Sequence, residues 1–415
     1  MYNLAILLGF LFFSLKNLGE KRKKFPSLAS RFGFDIPDPQ NRPVVWLHAV
    51  SVGEVKAAAS LVQKIKQTYP HFFLLVTTTT VTGQEEAKRT LKAADAYRFL
   101  PLDLSWVLRK WVRALRPQLL LLMESDLWPN LLKTVRAAGG QTILVSGKVS
   151  DRSARRLKLL RPLAKHLFKH LDLLLVQNET YRAHFAALND SAKIHVTGNL
   201  KFDAAPLPVD RAHWEPLLGS LPFAIALVST HAPEEEELLD ALQSLDATLF
   251  VVPRHPERFD EVATLLDKKK LSYIRWTQLD QKRGGERVIL VDAMAKLPIV
   301  YTFSQLAIVA GSFSSQIGGH NVLEPCLYGT PVFFGPHMHQ QQELATHLLR
   351  SGAGLQLSTD QLLSHIEAYA RNPLAMRTAA QALTQTLRGS TQKTWNAILS
   401  LIEKKKNLEI NRSAC

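Results

Sequence analysis

Short, nearly unbroken apolar runs recur along this chain with helical patterns between them, and that alternation leaves few folds open. In the first half, Val44 to Val50, Phe72 to Val76, Leu119 to Met123, Thr142 to Val145 and Leu173 to Val176 read as strands. Helices fit Val55 to Gln67, Gly83 to Ala93, Leu104 to Leu115, Leu127 to Ala138 and Glu179 to Ala187. The second half repeats the rhythm, with strands at Phe223 to Ser229, Leu249 to Val252, Val288 to Val291, Leu306 to Ala310 and Pro331 to Phe334. Strands apolar on both faces belong to parallel sheets covered by helices on both sides. Gly198 to Leu221, with Pro206, Pro208 and Pro216, breaks the pattern near the middle. The expected architecture is α/β: two doubly wound, Rossmann-like domains at 25–205 and 222–403, joined by a linker at 206–221. Beyond Leu355 the chain reads as helical, ending in a polar, frayed tail at 404–415. Ligands of such sheets bind beyond the carboxyl ends of the strands, so the site is expected in a cleft between the domains.

The formal charge of +15 raises the question of nucleic acid. Much of the excess is local, at Lys16 and Lys21 to Lys24, then between Arg152 and Lys169. No RNP, zinc-finger or helix-turn-helix signature accompanies it, and no aromatic residues interleave the basic runs. Anionic lipid explains a basic surface equally well. Tyr2 to Leu15 is almost wholly apolar but shorter than the roughly 20 residues of a spanning helix. Its positive charge follows the apolar run, unlike a secretory signal, so the body stays cytoplasmic. Residues 1–24 are therefore expected to anchor the chain to the cytoplasmic face of the inner membrane; the alternative is a buried N-terminal helix. Cys326 and Cys415 form no metal or disulfide spacing, consistent with a reducing compartment.

Chemistry-bearing residues cluster where strands end. His48-Ala49-Val50-Ser51-Val52-Gly53-Glu54 runs off the first strand, and a carboxylate there can act as a general base. Its ordinary alternative is a helix-start acid complementing the dipole. Thr77 to Gly83 brings small hydroxyl side chains after the second strand. Met123-Glu124-Ser125-Asp126-Leu127-Trp128-Pro129 follows the third; Asp126 could cap a helix, whereas Glu124 has no routine duty. Gly198 to Asp203 brings Lys201, either a surface lysine or a cation for an anion. Ser229-Thr230-His231 and Pro253 to Phe259 close two further strands, and Arg254 suits a phosphate or carboxylate. Gly318-Gly319-His320-Asn321-Val322-Leu323-Glu324-Pro325 reads as a diglycine approach to a ligand, with a helix opening at Asn321 and Glu324 one turn in. The alternative is an ordinary strand-to-helix turn. His337-Met338-His339 has no partner carboxylates, and no Asp-x-Asp occurs, so no metal site is expected.

In this order the motifs resemble the Kdo transferases of lipopolysaccharide synthesis, from the N-terminal anchor to about Gly354. That resemblance implies a two-domain GT-B fold and an inverting, metal-independent enzyme without a cofactor. The donor would be CMP-Kdo and the acceptor a lipid A precursor, with inner-membrane lipids as neighbours and no nucleic acid. Carried over residue by residue, Glu54 matches the general base, and Glu124 and Lys201 match positions of transition-state stabilisation. Pro253, Arg254, Asn321, Val322, Leu323 and Glu324 match CMP-binding positions. Met294-Ala295-Lys296 stands where relatives often carry Met-Gly-Glu, and Ala232-Pro233 where they tend to have Glu-Gly. The rival readings are a soluble sugar-nucleotide epimerase of the same fold and a basic nucleic-acid-binding protein.

Overall fold

A computed structural model describes residues 2–4, 6–9, 27–188, 193–203, 206–221 and 223–413. The first domain is built on β1 (Val44–His48), β2 (Phe73–Thr78), β3 (Ala96–Phe99), β4 (Pro117–Met123), β5 (Gln141–Gly147), β6 (Leu173–Val176) and β7 (Lys193–Val196). The second uses β8 (Ala224–Thr230), β9 (Thr248–Pro253), β10 (Tyr273–Arg275), β11 (Val288–Leu290), β12 (Leu306–Val309), β13 (Val332–Phe334) and β14 (Gly354–Gln356). Their orders are β3-β2-β1-β4-β5-β6-β7 and β10-β11-β9-β8-β12-β13-β14. All pairings are parallel. In each sheet the chain changes direction of winding once, between β1 and β4 and between β8 and β12. Connections on either side of such a point splay apart and leave a crevice at the carboxyl edge. The two switch points therefore mark where ligands should be sought.

The strands at these points are apolar on both faces because helices cover both. Trp46, Trp111, Leu131 and Phe168 pack on one face of the first sheet, beneath the helices Ser105–Leu115, Pro129–Ala137, Asp151–Leu159 and Arg161–Phe168. Val55, Leu61, Ile65, Trp395 and Ile398 cover the other face. The last two reside on the C-terminal helix Ser390–Ser413 and are fully buried. This departs from the expected boundary at 403, because the chain from Leu387 onward packs with the first domain. Trp395 and Ile398, flanked by Ala397, Leu399, Leu401 and Ile402, make an apolar stripe that needs an apolar partner, and the helix Val52–Thr68 supplies one. The stretch expected to fray from 404 keeps helical backbone to Ser413.

Residues 2–4 and 6–9 are helical and lie against the first domain. The Tyr2 hydroxyl donates to Asp103 (2.8 Å), Asn3 donates to Ser105 (2.9 Å), and Ile6 and Leu7 join the core while Leu4 and Leu8 stay exposed. Asp103 also accepts from the N–H groups of Asn130 and Leu131, so one buried carboxylate caps a helix and holds the N-terminal turn. No helix among the described residues is long and apolar enough to cross a membrane. The remainder of the expected anchor, with Lys16 and Lys21 to Lys24, lies outside the described residues.

Candidate active site

At the first switch point the carboxyl ends of β1 and β4 bring two acids into opposite environments. Glu124 leaves β4 with φ 57°, the left-handed region, which costs a non-glycine residue about 1–2 kcal/mol. Neighbours over-determine that conformation: its N–H donates to Val145 (2.9 Å) and its carbonyl accepts from Lys148 (3.0 Å). The side chain is nearly buried between two lysines, with Lys201 Nζ 2.8 Å from Oε1 and Lys148 on Oε2. Burial alone would raise the Glu124 pKa, but the charges of Lys201 and Lys148 outweigh it and hold the group below the usual carboxylate value. Glu124 is therefore an anion, and its role is to place two ammonium groups. Lys201 had been open between surface and site; the geometry puts it in this cluster, while Lys148 was missed. A lysine closing a strand edge after Ser146-Gly147 was its only sequence signal.

Glu54 has the other environment. It sits in the first turn of the helix Val52–Thr68, and its Oε2 accepts from Val50 N–H (2.8 Å). The Ser51 hydroxyl approaches Oε1 at 3.4 Å. Burial is the largest influence and raises its pKa; the Val50 bond and His48 pull it down, while Glu124 and Asp126 push it up. The net shift is upward, towards the working range of a general base. Asp126 does not cap a helix. It accepts from Trp128 Nε1 (2.7 Å) and faces His48 Nε2 (3.0 Å), while His48 Nδ1 lies 3.0 Å from the Thr77 hydroxyl. His48 is thereby fixed, fully buried, beneath the Glu54 turn.

The second domain assembles imidazoles and a guanidinium at its own switch point. His231, after β8, places Nε2 2.8 Å from Nε2 of His320, with the rings stacked at 5.1 Å, and His255 stands 5.3 Å from His231. Burial, then His231, Arg254 and His255, lower His320 to about 4, and burial is also the main cause lowering His231, so these two rings are neutral near pH 7 and one Nε2 must donate to the other. Arg254 ends β9 beside them with an exposed side chain, whereas Arg258 is spent on Glu235 and Glu261. Glu234 has already filled the backbone nest after β12, accepting from Gly311, Phe313 and Ser314 at 2.8–3.1 Å. With that nest closed by Glu234, the exposed Arg254 is the cation this edge presents beside the His231–His320 pair.

The loop from Gly318 differs from the expected helix start. Residues 322–324 form a turn, followed by a single 3-10 turn, Pro325–Tyr328, ended by Gly329 at φ 74°. Pro325 removes the N–H an α-helix would need, so no row of free helix amides opens at Asn321. Asn321 Oδ1 instead accepts from Leu323 N–H (3.1 Å), and Val322 and Leu323 are buried anchors. Glu324 precedes the short turn, half-buried beside Tyr301 and Tyr328. Gly318 and Gly319, at φ 82° and 91°, are required by the close approach of His339 and Met338 as well. Among the other expected donor contacts, Pro253 is buried at the end of β9. Met294 is exposed, and Lys296 points into a tryptophan pair, 5.3 Å from the Trp214 ring and 5.9 Å from Trp276. Ala295 keeps φ 62°, a geometry that favours glycine. Ala295→Gly is expected to stabilise the protein by about 0.5–1 kcal/mol, the relieved strain exceeding the added entropy of the unfolded chain. A urea titration reads this as a higher midpoint; a lower one would show that the methyl group is held by packing.

Residues 26–204 match the family described as 3-Deoxy-D-manno-octulosonic-acid transferase (kdotransferase). The chain is 37% identical to the 3-deoxy-D-manno-octulosonic acid transferase of Chlamydophila psittaci over 337 residues, 79% of this chain and 78% of that one. With the corresponding protein of Chlamydia trachomatis serovar A it shares 33% over 393 residues, 92% and 91% of the two chains. Among solved structures, UDP-GlcNAc 2-epimerase from Neisseria meningitidis superposes with a TM-score of 0.60 at 12% identity, covering 87% of this chain and all of that one. At that identity the likeness speaks for the fold alone.

Proposed function

Because this chain belongs to the 3-deoxy-D-manno-octulosonic-acid transferases, we propose that it transfers Kdo from CMP-Kdo to a hydroxyl of a lipid A precursor, with inversion and without a metal ion. The observation that carries the reading is the pair of acids at the β1/β4 switch point, one with a raised pKa and one locked as an anion between lysines. Glu54 takes the acceptor hydroxyl proton as that oxygen attacks the anomeric carbon. The bond from that carbon to the phosphate oxygen breaks, and both its electrons leave with CMP.

Positive charge builds on the sugar and negative charge on the leaving phosphate. Lys201, held by Glu124, is suited to meet anionic oxygen without reorganising, and Arg254 with the neutral His231–His320 pair is suited to the CMP phosphate. Glu324, Asn321 and the Met294–Lys296 turn complete the proposed donor contacts, with Ala295 supplying backbone rather than side-chain recognition. A monophosphate leaving group carries less charge than a diphosphate, which is why cationic side chains suffice. The reading places the enzyme at the cytoplasmic face of the inner membrane, supported by the apolar N-terminal run and its basic flank.

Incubation with CMP-Kdo and lipid A precursor, with product lipid weighed by mass spectrometry, tests this directly. Addition of Kdo to the acceptor, undiminished by chelator, is the expected result. No mass increase would remove the assignment, and an absolute need for magnesium would remove its metal-free form.

A further inference from the structure

The His231–His320 contact joins two parts of the chain that diverge. β8 and β12 pair side by side as far as Val228 and Ala310, where the Ala310 N–H donates to the Val228 carbonyl (2.9 Å). Beyond that bond one connection runs through His231 into the helix Glu234–Ala241. The other runs through Gly311 into the glycine loop that carries His320. Connections leaving a switch point separate, so strand pairing by itself does not set the distance between the two rings.

Glu234 spans that gap. It starts the helix on the β8 side, is 1% exposed, and reaches across to the β12 side. Its Oε2 accepts from Gly311 N–H at 2.8 Å, and its Oε1 from Phe313 and Ser314 N–H at 3.0 and 3.1 Å. Gly311 is also where His320 rests. A Cβ atom on Gly311 would lie 2.4 Å from the His320 ring, and the Gly311 carbonyl accepts from Gly319 N–H at 2.8 Å. The carboxylate thus grips the backbone that seats one imidazole, from the element that carries the other.

A helix-start acid complementing the dipole is the ordinary alternative. Glu235, Glu236 and Glu237 share that first turn and can serve the dipole from it. Glu235 is as deeply buried but turns to Arg258, and Glu236 and Glu237 are exposed. Glu234 spends both oxygens on the opposite loop instead. Charge-assisted bonds from three backbone donors fix position, which a dipole partner need not do.

We propose that Glu234 is a positioning residue of the donor site, clasping the β8 and β12 connections together and so setting the His231–His320 pair. The proposal rests on the reading that this pair faces the CMP phosphate, although the clasp is measurable without CMP. All three partners of Glu234 are donors. Glutamine has one acceptor oxygen, so its NH2 must face an N–H on one arm of the clasp. Aspartate keeps both oxygens and falls one methylene short.

Nuclear magnetic resonance of the full chain with isotope-labelled histidine is the test. The wild type should show a scalar correlation between Nε2 of His231 and Nε2 of His320 across their hydrogen bond. Glu234→Gln should lose it and bind CMP at least about tenfold more weakly, the scale of one lost hydrogen bond to a charged group. Glu234→Asp, which keeps the charge, should give the same loss and decides the matter if glutamine prevents folding. Glu235→Gln breaks an equally buried ion pair in the same turn without touching the loop, and should keep the correlation. A correlation retained by the Glu234 variants, lost equally in Glu235→Gln, or absent from the wild type would overturn the proposal. Loss of the correlation with unchanged CMP affinity would instead overturn the reading of the pair as the phosphate contact. A wild type that binds no CMP would overturn the donor site itself.

Discussion

Glu54→Gln is expected to lower turnover by about 10²–10⁴-fold, the range general-base assistance supplies, while leaving CMP affinity nearly unchanged. The stability outcome is the more discriminating half. Burial raises the folded pKa of Glu54 above its unfolded value, so ionisation at neutral pH opposes folding. Whatever stability the protonated group contributes is present below the unfolded pKa and is lost as pH rises through the folded one. Glutamine keeps an acceptor for Val50 N–H and carries no charge, so the melting temperature at pH 7 should be equal or higher. A helix-start acid whose main duty was the dipole would give the reverse, a lower melting temperature with normal turnover. In the unaltered enzyme the rate should fall as pH drops through a Glu54 pKa higher than that of an ordinary glutamate. Normal turnover in Glu54→Gln ends the assignment.

Lys201→Ala should cost about 10²–10³-fold in turnover, the scale for removing one preorganised electrostatic contact to the transition state. Its stability effect at neutral pH is small, about 0.5–1 kcal/mol, because the lysine is partly exposed and Lys148 still pairs with Glu124. The pH dependence is the fingerprint. Glu124 has a depressed folded pKa, so its contribution is present above the unfolded value and is lost as pH falls through the folded one. Removing Lys201 raises that folded pKa, and acid unfolding should begin at a higher pH than in the wild type. Turnover within about threefold of wild type would show that Lys201 only holds a buried acid in place.

How far the fold was legible follows from burial. The ten strands read from sequence are the interior ones, β1, β2, β4, β5 and β6 with β8, β9, β11, β12 and β13. Those missed are the four edges: β3, β7, β10 and β14. An edge strand is paired on one side only, so Ala96-Tyr97-Arg98-Phe99 and Tyr273-Ile274-Arg275 need no continuous apolar run. Around the candidate site, Glu54, Glu124 and Arg254 drew attention because each follows an interior strand visible in the sequence, whereas Lys201 follows the edge strand β7 and was singled out only by the Gly198 to Asp203 break. Lys148, His48 and the His231–His320 contact were not legible, since each owes its place to a partner far away in sequence. The helix expected at Asn321 failed on a local point, Pro325 and Gly329 confining it to one 3-10 turn. The tail was misassigned because its Trp395 and Ile398 show an apolar stripe without showing which core it fills.

That returning C-terminal helix also sets the order in which the protein can be made. Asp203 accepts from Gly389 N–H (2.7 Å) and from Thr391 N–H, Ser60 meets Thr391 (2.7 Å), and Gly198 comes so close to Ser390 that no side chain fits there. The turn presenting Lys201 is thus bolted to residues translated nearly two hundred positions later. At about 5–20 residues per second, the ribosome needs on the order of 10–40 s to cover that distance. For that interval the face around Leu61 and Ile65 waits uncovered, while the intervening second domain emerges and closes its own core. Lysine placement is therefore among the last events of biogenesis, so a chain released before its final helix lacks the contacts that hold the turn carrying Lys201 beside Glu124.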